Sequence, residues 1–109
     1  QKDCEDNIVV LVYDKTINDY TSTFQMLVKN NDLYVRKIAT LPMYEGRGIG
    51  KTNMNYMEEF AKKMNCTKII LDVYIRSKHA INFYLKNGFV VEGQRRSIRF
   101  KELIMVKNI

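Results

Sequence analysis

Residues 38–50 read Ile38-Ala39-Thr40-Leu41-Pro42-Met43-Tyr44-Glu45-Gly46-Arg47-Gly48-Ile49-Gly50: a β-rich end, a proline, then three alternating glycines. Proline has no N–H for a sheet ladder, so Pro42 ends the strand before it. A turn needs one glycine, whereas three in alternation let the backbone approach a ligand with no Cβ in the way. The next residues are helical in period. Gly50, Met54, Met57, Ala61 and Met64 recur at spacings of four, three, four and three, and Phe60 widens the stripe. The spacing predicts a helix from Gly50 to about Met64, with Asn65 as its stop and Lys62 and Lys63 at the end of the dipole that suits cations. The first N–H groups of such a helix are unpaired and carry the positive end of the dipole, which makes a phosphate site. Arg47 and Lys51 add positive charge there.

Outward from this segment the chain alternates strands and helices. Upstream, Ile8 to Tyr13 reads as a buried strand, Thr16 to Tyr20 as a polar turn, Thr23 to Lys29 as a second strand and Leu33 to Leu41 as a third. Asn30-Asn31-Asp32 between the last two is a turn signal, because Asn and Asp tolerate left-handed backbone. Three antiparallel strands are the simplest account. Downstream, Thr67 to Tyr74 reads as a buried strand, parallel to the third across the helix. Ser77 is a suitable N-cap for a short helix whose face is Ala80, Ile81, Tyr84 and Leu85, closed by Asn87-Gly88. Phe89 to Glu92 and Glu102 to Lys107 read as two final strands. The expected order is βββαβαββ, a mixed α/β (α+β) domain with a largely antiparallel twisted sheet and two main helices.

Composition bounds the rest. The chain has 109 residues, enough for one domain over 1–109 with a modest core. The longest apolar run, Ile8 to Tyr13, is too short to span a bilayer, and no charged-apolar-small leader opens the sequence, so no membrane role and a cytoplasmic location are expected. Residue 1 is Gln, so the chain is read as a processed or trimmed product. Cys4 and Cys66 are far apart without a CxxC pair, which favours reduced thiols. With His79 as the one histidine, no zinc site is expected. His79 is placed on the surface near the start of the short helix. The net charge of +6 attracts anions.

Two anionic ligands suit the glycine loop. Gly50-Lys51-Thr52 matches the second half of a Walker A motif, and Ile69 to Asp72 mimics a Walker B strand. Glu45 stands where that motif needs glycine, however, and Pro42 to Tyr44 separate the strand from the loop. The dinucleotide fingerprint G-x-G-x-x-G is absent, since the spacing here is G-x-G-x-G. The other ligand is coenzyme A.

Coenzyme A is indicated by a resemblance. The Ile38–Gly50 segment resembles the pyrophosphate-binding segment of the GNAT N-acetyltransferase superfamily. Ala80-Ile81-Asn82-Phe83-Tyr84-Leu85-Lys86-Asn87-Gly88-Phe89 is similar to that family's later A-x-x-F-Y-x-x-x-G-F helix. The likeness runs from about Ile8 to Val106, with both segments in order. It departs at Glu45, where the family usually has Arg or Gln, and at Ser77, where many members have Asn. The family's opening strand and two helices have no counterpart before Ile8, so the chain is expected to be trimmed, small, or completed by another protomer in a homodimer.

The resemblance implies acetyl-CoA as co-substrate and no metal. Backbone N–H groups of Gly46, Arg47, Gly48, Ile49, Gly50 and Lys51, with Glu45 beside them, would hold the pyrophosphate. Ile38, Ala39 and Thr40 would pair with the pantetheine arm as an added strand and polarise the thioester carbonyl, with Ser77 near the arm. It implies Tyr84 as the general acid that protonates the leaving thiolate. Asp72 is similarly placed to a glutamate that some relatives use as general base. A lone carboxylate among Ile70, Leu71 and Val73 suits that role; an alternating strand that points Asp72 at solvent is the plainer reading.

Arg95, Arg96, Arg99 and Lys101 cluster near the C-terminus without a recognition motif, so a solvated hairpin is expected there rather than a nucleic-acid site. The expected function is transfer of an acetyl group to a primary amine of a protein or small molecule. The alternative is a non-catalytic module of the same fold that binds CoA or uses its basic surface. The basic balance argues mildly against a polyamine acceptor.

Overall fold

The computed structural model describes residues 8–44, 46–96 and 98–109. Cys4 and Glu45 lie outside them. Six strands and two helices follow in the expected order: β1 (Ile8–Asp14), β2 (Asp19–Lys29), β3 (Asp32–Thr40), α1 (Ile49–Lys63), β4 (Lys68–Tyr74), α2 (Lys78–Lys86), β5 (Val90–Arg96) and β6 (Lys101–Asn108). One sheet holds them in the order β1-β2-β3-β4-β6-β5, and every pairing is antiparallel except β3 with β4.

Local chemistry sets the turns. Asn30 and Asn31 both have positive φ, 54° and 66°, and Lys29 pairs with Asp32 across them. That is the two-residue hairpin whose twist matches the flanking strands. β3 stops at Thr40 and Pro42–Tyr44 forms a short 3-10 turn before the glycine loop. Asn65 ends α1 in left-handed backbone, and Gly88 does the same after α2.

Both helices contribute to one core. Met54, Met57 and Ala61 of α1 and Tyr84 of α2 pack with Phe24, Met26, Leu33, Val35, Ile69, Leu71, Val73, Phe89 and Met105. The predicted helix stripe shifts in detail. Met64 is exposed and Ile49 and Asn53 are buried in its place. In α2, Phe83 packs against the core while Leu85 is exposed.

The reading of Ile8–Tyr13 as a buried strand is corrected by its place in the sheet. β1 is an edge strand, and only its alternate residues Val10 and Val12 reach the core. Val9 and Leu11 point the other way and are 59% and 63% exposed, because no described element covers that face. The two final strands are longer than expected, so Arg95 and Arg96 belong to β5 and Lys101 to β6.

The feature that makes a site is a split in the sheet. β3 pairs with β4 from Asp32↔Lys68 to Val35↔Leu71 and no further. A bulge follows at once. Thr23 of β2 faces Ala39 but Gln25 faces Arg36, so β3 sets Lys37 and Ile38 against Phe24 alone. Lys37 takes φ 57°, an unusual conformation for lysine. Beyond the bulge, β3 follows β2 while β4 follows β6, and the sheet opens between them.

Candidate active site

Two clefts meet at this opening. The first, of about 910 Å³, runs from Ile38, Ala39 and Thr40 past the glycine loop to the start of α2. The second, of about 500 Å³, lies between the β3 bulge and the ends of β4 and β6. Both are lined by Ile38, Ser77, Ala80 and Tyr84, so these four residues stand where the clefts join.

The wall of the first cleft is largely backbone. Gly46 and Gly48 have φ of 79° and 78°, which only glycine adopts at little cost. A Cβ built on either meets nothing within 4 Å, so the space over the loop is open. Gly48 is the N-cap of α1 and no side chain caps the helix. The first-turn N–H groups therefore face this space unpaired, the arrangement that takes a phosphate. The residues fit a diphosphate-bearing carrier on these observations. Gly50 has a different task. Its Cβ would come within 3.2 Å of the Phe83 ring, so its smallness lets α1 approach α2.

Charged side chains border this cradle. Lys51 lines the cleft and its Nζ donates to Asn87 Oδ1 at 2.8 Å, tying the start of α1 to the end of α2. Arg47 stacks on Tyr44, 5.7 Å from the ring centroid. Tyr44 in turn donates its hydroxyl to Asp19 at 2.7 Å, and that bond raises the phenol's pKa. Arg76, Lys78 and His79 also line the cleft. Sequence reading assigned none of them a ligand, though a signal was present: α2 begins with basic residues, where the dipole favours acidic ones. His79 is exposed in the first turn of α2, as expected.

Asn53 was also missed. It is buried, lines the first cleft and donates Nδ2 to the buried Ser22 Oγ at 2.9 Å. The bond pins α1 to β2 beside Thr40, which pairs with Ser22.

Tyr84 is buried at the junction, edge-on to Phe83 and Phe89 with ring centroids 5.5 and 5.6 Å apart. Burial pushes its pKa up to about 12, so the phenol keeps its proton at neutral pH. Ser77 caps α2 only by its backbone: Ile81 N donates to Ser77 O at 3.0 Å, and no side-chain cap bond forms. Its hydroxyl is left to the clefts.

Asp72 reaches the second cleft but is not alone there. Arg95 Nη2 lies 2.7 Å from Asp72 Oδ2 and 3.1 Å from Glu102 Oε1, so one guanidinium nitrogen bridges two carboxylates. Asp72 is thus neither a lone carboxylate nor a solvent-facing one, with 17% of its side chain exposed. Part of the expected solvated hairpin is in this way a wall of the cleft. Among the described residues no group of three or more His, Cys, Asp or Glu could hold a metal ion.

A mixed α+β sheet split beside a helix N-terminus, with a glycine cradle at that terminus, defines a domain built to seat an anion there. Residues 3–89 match the family model described as acetyltransferase (GNAT) family, and the chain belongs to that family. An uncharacterized N-acetyltransferase of Methanocaldococcus jannaschii is 36% identical over 69 residues, which are 60% of this chain and 30% of that protein. PaiA N-acetyltransferase from Thermoplasma acidophilum, solved in complex with coenzyme A, superposes with a TM-score of 0.81 at 24% identity, over 95% of this chain and 62% of that one. The ribosomal-protein-S18-alanine N-acetyltransferase from Escherichia coli does so with a TM-score of 0.81 at 19% identity, over 94% of this chain and 69% of that one. The chain thus spans less than a third of the curated relative and under two thirds of the PaiA structure.

Proposed function

We propose that residues 1–109 act as one acetyl-CoA-binding domain that moves the acetyl group directly to a primary amine, in the cytoplasm and without a metal. The observation that carries this reading is the open backbone cradle of Gly46 and Gly48 leading into an uncapped helix beside a split sheet. Bound there, acetyl-CoA supplies an activated thioester. The N–H groups of the loop and first turn of α1 hold its diphosphate, with Lys51, Arg76 and Lys78 adding charge. Ile38, Ala39 and Thr40 have left β4 behind, so their outward backbone groups pair with the extended arm. An N–H at the bulge polarises the thioester carbonyl.

The acceptor enters through the second cleft and meets the thioester at Tyr84. The amine nitrogen bonds to the acetyl carbon, the carbon–sulfur bond breaks, and the electron pair leaves on sulfur. Tyr84 supplies a proton to that thiolate, and its raised pKa keeps the proton available through the neutral range. The proton released by the amine goes to Asp72, directly or through water. An otherwise intact CoA-binding module without turnover is the second reading, favoured by Arg95 sitting on Asp72. Thiol release from acetyl-CoA, followed across a panel of primary amines, separates the two. Amine-dependent release is expected; tight acetyl-CoA binding with no release for any amine would leave the passive module standing.

A further inference from the structure

We infer that the acceptor is an amino carboxylate, a small molecule that carries a carboxylate close to the amine. The inference rests on the acetyl-transfer reading and adds to it the substrate class of the second cleft. The charges on the two walls of that cleft differ. On the β4 and β6 side stand Asp72 and Glu102, already bridged by Arg95. On the β3 side stand Arg36 and Lys37, with no carboxylate partner among the described residues.

The sheet register explains why they stay apart. Val35 is the last β3 residue paired with β4, opposite Leu71, so Arg36 and Asp72 are the next residues on either side of the split. Alternation puts them on one face, yet Asp72 bonds Arg95 instead. Lys37, in left-handed backbone at the bulge, is exposed and lines the same cleft. Three cations therefore line the cleft against two carboxylates, and the surplus positive charge lies on the wall that has no internal partner. A cleft concentrates such a field and draws in the matching ion.

A molecule with an amine alone would leave Arg36 and Lys37 unanswered and would compete with Arg95 for its carboxylates. A molecule with both groups satisfies both walls: its carboxylate meets Arg36 and Lys37, and its ammonium meets Asp72 and Glu102 before giving up a proton. Tyr74 and Phe100, edge to face at 5.4 Å, add an apolar wall that suits the carbons between the two charges.

The test compares kcat/KM for L-lysine, L-lysinamide and 1,5-diaminopentane, which differ in whether a carboxylate accompanies the amines. L-Lysine is expected to be used about tenfold better than either, the order of one hydrogen bond to a charged group. Arg36→Gln and Lys37→Asn should bring the ratio towards one while leaving acetyl-CoA affinity unchanged. The ratio cancels any general loss from misfolding, and asparagine tolerates the left-handed position. Equal or better use of diaminopentane, or a ratio that survives both variants, would overturn the inference while acetyl transfer stands. Acetyl-CoA binding with no turnover of any of the three, and no L-lysine binding by calorimetry in the presence of CoA, would overturn the inference; the transfer reading falls with it only if no amine of the wider panel releases thiol.

Discussion

The two clefts share four residues but are built from different material. The first is shaped by backbone: positive φ at Gly46 and Gly48, an uncapped helix start, and the freed edge of β3. The second is shaped by side chains brought from four strands, Arg36, Asp72, Arg95 and Glu102. Backbone walls can serve a ligand part that is the same in every turnover, because they offer N–H groups in fixed positions. Side-chain walls can differ from one chain to the next without disturbing the fold, which is where specificity belongs. Damage to one cleft should therefore leave the other's ligand largely unaffected.

The largest effect should come from the backbone wall. Gly48→Glu puts a side chain on a residue at φ 78° and a carboxylate at the proposed diphosphate site. Acetyl-CoA affinity by calorimetry should fall more than about 100-fold. Undiminished affinity would make the loop a structural turn only.

Tyr84→Phe tests the junction. Turnover should fall about 10²-fold or more with the KM for acetyl-CoA little changed. The same variant has a signature in stability. The folded protein holds the Tyr84 proton to about pH 12, whereas the unfolded chain loses it near the ordinary phenol value of about 10. The stabilisation is whole below pH 10 and is lost as pH rises through the folded value. Over that window the wild type should lose about 2–3 kcal/mol more than Tyr84→Phe in denaturant melts. Parallel curves for the two proteins would remove the buried-phenol account.

Smaller effects should come from the side-chain wall. Arg95→Gln removes the bridge between Asp72 and Glu102, and the acceptor KM should change several-fold while acetyl-CoA affinity holds. A matching loss of acetyl-CoA affinity would show that the clefts are not separable. Smallest of all, Lys51→Met cuts the exposed bond to Asn87 and should cost less than about 1 kcal/mol of stability by thermal melt.

The same contrast explains what could be read in the sequence. A backbone requirement writes itself locally: glycines where φ is positive, paired asparagines at a hairpin, proline after a strand. Those residues placed the cradle, the Asn30-Asn31 turn and both helices within a residue or two. The second cleft depends on register between distant strands. Asp72 and Arg95 are 23 residues apart, and Asn53 and Ser22 are 31 apart. No local pattern announces that they meet. The bulge at Lys37 was hidden for a related reason, since it exists only as a mismatch between β2 and β3. The apolar run of β1 looked buried because composition reports hydrophobicity, not position within a sheet.

The central claim is that α1's first turn and its glycine loop grip a diphosphate. Calorimetric titration at low salt, with acetyl-CoA against S-acetylpantetheine, tests that grip, because the second ligand keeps the thioester arm and lacks the diphosphate together with the nucleotide it carries. The account predicts measurable binding of acetyl-CoA and binding of S-acetylpantetheine weaker by about 100-fold or more. Equal affinity for the two, or no heat with acetyl-CoA, would contradict it.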